Sequence, residues 1–195
     1  MRSTGPRTRR QRMLLAELEG LFLAEGFVAF TLDDLAAKLR CSKTTLYALA
    51  PSKEQLATKV VAHFFKGAAE RIEARVAGID DAAAAVRTYL AGVSAELDRA
   101  SAAFLADVEA FAPARAVYAF NSEAAARRIR QFITDGVEQG VFRDAHADAI
   151  AEMAGILVES IQSGVVGSRA RTTDAEAFEA LAELLLNGLR ADLSG

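Results

Sequence analysis

Phe30-Thr-Leu-Asp-Asp-Leu-Ala-Ala-Lys-Leu-Arg-Cys-Ser-Lys-Thr-Thr-Leu-Tyr47, followed by Pro51-Ser-Lys-Glu-Gln-Leu56, is the stretch that decides the fold. Thr31 stands three residues before Asp34, the spacing of a capping box in which a hydroxyl accepts a helix N–H and an acid sits at the positive end of the dipole. The spacing predicts a helix from there to about Leu39, with Leu32, Leu35, Ala36 and Leu39 on one face. Arg40-Cys41-Ser42 is a short break. Ser42 then caps a second short helix, Lys43 to about Ala48, whose Leu46 returns to the apolar face. Ser52, with Gln55 three residues on, starts a long helix that ends near Gly78.

Upstream, Leu14, Leu18, Leu21 and Phe22 recur at spacings of three and four up to Gly26, which suits the left-handed residue past a helix end. Two short helices flanked by longer ones describe a helix-turn-helix unit inside a small bundle. Downstream, helices are expected near 80–99, 101–111, 113–139, 146–168 and 174–191, giving about nine in all, with Pro113 in the first turn of its own. No useful length alternates with period two, and no repeat of fixed period is present. The fold class is therefore all-α. It comprises an N-terminal three-helix bundle with the helix-turn-helix (residues 1–50) and a C-terminal helical domain (residues 51–195).

Composition agrees. Among 195 residues only 3 are proline and 42 are alanine, and 52% are hydrophobic, which excludes a disordered chain. The net charge of −3 looks unsuited to nucleic acid, but it is unevenly spread. Residues 1–66 hold 11 Lys+Arg against 6 Asp+Glu, and residues 67–195 hold 12 against 20. A basic third joined to an acidic remainder is the first functional clue. No uncharged apolar run reaches the roughly 18–20 residues of a bilayer span. One cysteine suits a reducing cytoplasm. No spacing for a metal site, phosphate loop or catalytic nucleophile is present, so no metal, cofactor or enzymatic activity is expected.

The quoted stretch resembles the DNA-binding domain of the tetracycline-repressor-like (TetR) family of bacterial regulators, over about residues 8–66. The matching features are the acid-capped second helix, Ser-Lys-x-Thr-Leu-Tyr, and Pro-Ser-Lys-Glu at the next helix start. Independently of the family, the N-terminal residues of a recognition helix face base edges in a major groove, which here puts Lys43, Thr44 and Thr45 behind the capping Ser42. Thr31 and Lys53 sit at helix starts, where anions are favoured and phosphate contacts are natural. The resemblance adds Tyr47 to Lys53 as a phosphate contact. Arg7, Arg9 and Arg10, with Arg12, form a basic arm suited to a phosphate backbone or a minor groove. Each also has a plain structural alternative: a cap, a core ring, a solvated lysine or a solubilising tail. Two departures stand out. The family usually has glycine where this chain has Arg40, and Ala48-Leu49-Ala50 replaces residues from which no phosphate contact is carried over.

The resemblance further implies a small-molecule cavity and a dimer built by the last helices. Phe64, Tyr89, Phe104, Phe111, Tyr118 and Phe120 are the aromatic candidates for the cavity, with ordinary core packing as the alternative. Met153, Leu157 and Ile161, with Phe178, Leu181 and Leu185, form two stripes expected to pair across a dimer. The resulting expectation is a cytoplasmic homodimeric repressor, released from a near-palindromic double-stranded DNA operator by a small apolar or amphipathic effector. An activator or co-repressor-dependent regulator, and a helical interaction module that binds no DNA, remain the alternatives.

Overall fold

A computed structural model of the chain describes residues 9–144 and 146–189, and every regular element among them is a helix. In chain order these are α1 (Arg9–Glu25), α2 (Leu32–Lys38), α3 (Lys43–Tyr47), α4 (Lys53–Val76), α5 (Ala82–Leu97), α6 (Ala102–Ala110), α7 (Ala112–Glu138), α8 (Ala147–Gln162), α9 (Val165–Ala170) and α10 (Asp174–Leu189). The helix expected over 146–168 is two helices. Gly164 takes a φ of 71°, a left-handed conformation open to glycine at little cost, and the chain turns there before α9 begins.

The chain packs as two compact units. The first holds the residues up to Lys66 together with Ala100–Val117; the second holds Gly67–Arg99 and the chain from Tyr118 onward. This is a division by packing, and it places residues 51–66 and Ala100–Val117 with the helix-turn-helix, beyond the boundary expected at residue 50.

In the first unit, α1 buries Leu14, Leu15, Leu18, Phe22 and Leu23, and α2 and α3 each bury one leucine, Leu35 and Leu46. Helices of seven and five residues cannot hold themselves together in water, so their stability comes from these contacts and from caps. An aromatic stack fills the centre. Phe27 lies 5.5 Å from Phe22, 6.1 Å from Phe104 and 5.9 Å from Phe111, and Phe64 lies 5.6 Å from Phe104. The Ser101 N–H also donates to the Leu23 carbonyl at 2.8 Å. Helix α6 thus belongs to the core beneath the helix-turn-helix.

In the second unit, α10 packs on α5 and α8. Its Phe178, Leu181, Leu185 and Leu189 are buried, as are Ala154, Val158 and Ile161 of α8. The buried Glu96 on α5 accepts two 2.7 Å hydrogen bonds from the Arg71 guanidinium on α4 and a third from Arg99. Those hydrogen bonds, from Arg71 first, hold its carboxyl below the ordinary glutamate range against the raising effect of burial.

Candidate nucleic-acid interface

The interface is built from the caps outward. The Thr31 hydroxyl accepts the Asp34 N–H at 3.2 Å and donates to Asp34 Oδ2 at 2.7 Å, and the Thr31 N–H donates to the same oxygen at 2.8 Å. This closed capping box keeps the Asp34 carboxyl below its ordinary value, the Thr31 hydroxyl being the main cause. It also places the Thr31 hydroxyl inside the box. At the next helix, Ser42 Oγ accepts the Thr45 N–H at 3.2 Å and lies 2.9 Å from Thr45 Oγ1, so these two hydroxyls serve each other.

With Leu46 turned inward, α3 exposes Lys43, Thr44 and Tyr47, the last half exposed at 50%. The Lys43 ammonium lies 2.7 Å from Asp33 Oδ1 on α2, and that hydrogen bond raises its pKa above the ordinary lysine value. Asp33 is the residue that local spacing does not single out. It looked like one more acid in a first turn, and only the packing of α2 on α3 brings it to Lys43. Lys53 uses one of its three N–H groups on the Val28 carbonyl at 2.7 Å.

Arg40 has a φ of 48°, the left-handed conformation that costs a non-glycine residue about 1 kcal/mol. The turn is held by the N–H groups of Arg40 and Cys41, which donate to Ala37 and Ala36 at 3.2 and 2.9 Å and close the end of α2. Arg40 borders a cleft of about 390 Å³ with Arg9, Arg10 and Cys41. Burial pushes the Cys41 thiol pKa up, which leaves it in the unreactive thiol form. Arg9 and Arg10 are the first residues of α1 rather than a separate arm, and Arg7 lies outside the described residues.

The remaining expected residues are distributed as follows. Phe64 and Phe104 are fully buried in the first unit's aromatic stack, and Phe111 stands at its edge. Tyr89 borders a cleft of about 400 Å³ in the second unit, walled by Ala69, Ala124 and Ala125 and rimmed by Glu73, Arg127 and Arg128. Its ring packs edge-on to Phe132 at 5.5 Å, and burial, assisted by the Glu73 carboxylate, pushes its hydroxyl pKa up to about 12. The Arg128 guanidinium lies 4.2 Å from the Phe132 ring centre and donates to Glu73 at 3.1 Å. The Tyr118 hydroxyl donates to Asp174 at 3.3 Å, while Phe120 stands 67% exposed. Of the two dimer stripes, Ile161, Phe178, Leu181 and Leu185 are buried within one chain, because α5, α8 and α10 close on one another. The apolar surface left open on these helices is that of Met153 and Ile156 on α8 and Leu184 on α10, with Leu157 half-buried beside them.

An all-α chain whose capped helix-turn-helix leaves Lys43, Thr44 and Tyr47 of α3 exposed has the architecture that helix-turn-helix DNA-binding proteins use. Residues 14–60, the stretch that holds α2 and α3, match the family described as bacterial regulatory proteins, tetR family. An uncharacterized HTH-type transcriptional regulator of Bacillus subtilis, YvaF, is 49% identical over 53 residues, a match that spans 27% of this chain and 27% of that protein. Over nearly the whole chain the fold is that of solved regulators. A putative transcriptional regulator from Saccharomonospora viridis, crystallised with choline, has a TM-score of 0.71 at 21% identity, covering 95% of this chain and all of that one. A TetR regulator from Haloarcula marismortui has a TM-score of 0.75 at 14% identity, covering 93% and 98%. The matched family and the solved structures of this fold are described as transcriptional regulators.

Proposed function

We propose that this chain is a cytoplasmic, ligand-responsive transcriptional repressor that binds a near-palindromic double-stranded DNA operator as a homodimer. The observation that carries this reading is the exposure of Lys43, Thr44 and Tyr47 together on α3, with Ser42 capping it. Lys43 is read as the base contact, and it exchanges Asp33 for guanine acceptors on binding. Tyr47 and Lys53 are read as phosphate contacts, and Arg9 and Arg10 as the basic flank. Three arginines at the positive end of α1 oppose its dipole, an arrangement that a phosphate would relieve.

Duplex binding measured against salt tests the reading. Lys43→Ala should relax base preference at one operator position, lowering affinity there roughly 10- to 100-fold. Lys53→Ala should weaken all sequences alike and reduce the salt slope by about 1. Identical behaviour of the two variants would refute the division into base reader and phosphate anchor. A chain with no salt-dependent duplex affinity would be the interaction module instead.

Two finer parts have their own support. Open Met153, Ile156 and Leu184 are apolar surface suited to a second copy, and a monomer mass in sedimentation equilibrium would remove the dimer. The cleft at Tyr89 has apolar alanine walls and two arginines against one glutamate. Choline is the molecule held by one solved structure of this fold, but the cleft here is lined by one aromatic ring, Tyr89, beside two arginines, where a quaternary ammonium is held by several ring faces. A neutral apolar or amphipathic effector therefore fits better, because Arg127 and Arg128 are already paired with Glu123 and Glu73. Thermal stabilisation by choline but not by neutral alkyl compounds would reverse that choice.

A further inference from the structure

Asp107 lies on α6, some 80 residues from the loop that joins α1 to α2, yet it is bonded to that loop. One carboxylate oxygen, Oδ2, accepts the Phe27 N–H at 2.5 Å and the Val28 N–H at 2.8 Å. Successive amides that converge after a left-handed residue form a concavity for an anion. Gly26, with a φ of 78°, supplies that residue, and a Cβ there would stand 2.6 Å from the same Oδ2. Glycine is thus required both for the turn and for the approach of the carboxylate. The other side of Val28 is also engaged, because its carbonyl accepts Lys53 Nζ at 2.7 Å. One residue of the loop is held by α6 through its N–H and by the start of α4 through its C=O.

We propose that Asp107 is a positioning residue for DNA binding: seated on the Phe27 and Val28 amides, it fixes the Val28 carbonyl and through it the Lys53 ammonium. The proposal rests on the DNA-binding reading above. Lys53 has a flexible four-carbon stem, so without a fixed carbonyl its charge spreads over many positions and a phosphate must order it on binding. Asp107 touches no DNA in this account. It acts through the loop, which also leads into the Thr31 cap of α2.

The test has two arms. In the free protein, hydrogen exchange at the Phe27 and Val28 amides should accelerate at least tenfold in Asp107→Ala and much less in Asp107→Asn, which keeps an acceptor oxygen. Unchanged exchange would overturn the clamp whether or not the chain binds DNA. In the second arm, Asp107→Ala, Lys53→Ala and the double variant are titrated with random-sequence duplexes across a range of salt. Asp107→Ala should lose roughly three- to tenfold in affinity and lower the salt slope by about 1, as Lys53→Ala does. The double variant should then lose no more than Lys53→Ala alone, and Asp107→Asn should recover most of the loss. Additive losses, or a salt slope untouched in Asp107→Ala, would overturn the positioning role. No duplex binding by the unaltered chain would instead defeat the functional reading, with the exchange arm still deciding the clamp.

Discussion

The first unit contains 12 Lys+Arg against 8 Asp+Glu, and the second 11 against 18, but the greater contrast is in what those charges do. In the second unit Arg71 and Arg99 share Glu96, Arg128 pairs with Glu73, Arg130 with Glu152 and Arg127 with Glu123. In the first, Lys38 pairs with Glu25, Lys43 with Asp33 and Arg115 with Glu109, but Arg9, Arg10, Arg12 and Arg40 form no ion pair among the described residues. Cations spent on internal carboxylates fasten helices together, and cations left open attract an external polyanion. The net charge of −3 averages over these two uses and describes neither.

The comparison breaks most visibly at α6. Phe104 is 1% exposed in the first unit's stack, whereas Phe120 is 67% exposed in the second unit. Phe104→Ala should cost about 3–5 kcal/mol in urea denaturation, and Phe120→Ala within about 0.5 kcal/mol of nothing. Equal losses would mean that α6 is not part of the core beneath the helix-turn-helix.

A smaller effect is expected inside the second unit. Glu96→Gln should cost about 1–2 kcal/mol at neutral pH, a figure reduced because both arginine partners are 43% exposed. Its carboxyl pKa is depressed in the fold. The stabilisation is therefore present above the ordinary glutamate value of 4.5 and lost as the pH falls through the lower folded value. Denaturation midpoints of the variant and the parent should converge in acid. A constant gap at every pH would assign the loss to packing instead.

The smallest effect concerns Asp33. Asp33→Asn frees Lys43 from its carboxylate and should raise affinity for random duplexes a few-fold, with a steeper salt slope. Unchanged binding would mean that the pair opens too readily to matter. A gain confined to one operator sequence would make Asp33 a base reader in its own right.

Much of this was legible locally. Thr31 and Asp34, Ser42 and Thr45, and Gly26 each act within a few residues of themselves, and their caps and turn follow from which side chains can reach which amides. The single helix expected over 146–168 illustrates the limit, since the apolar period runs through Gly164 without marking that its backbone turns left-handed there. The aromatics show a different limit. Spacing identifies Phe64, Phe104 and Tyr118 as inward-facing but not which core each enters. The sequence by itself determined an all-helical chain, the helix-turn-helix and the basic end, because caps, period and charge are short-range properties. Only the tertiary structure decided that α6 packs with the DNA-binding unit, that Asp33 and Asp107 reach Lys43 and the Val28 amide, and that Leu181 and Leu185 are covered within one chain. Those contacts join residues from 10 to some 80 positions apart, and no local pattern encodes which helix faces meet.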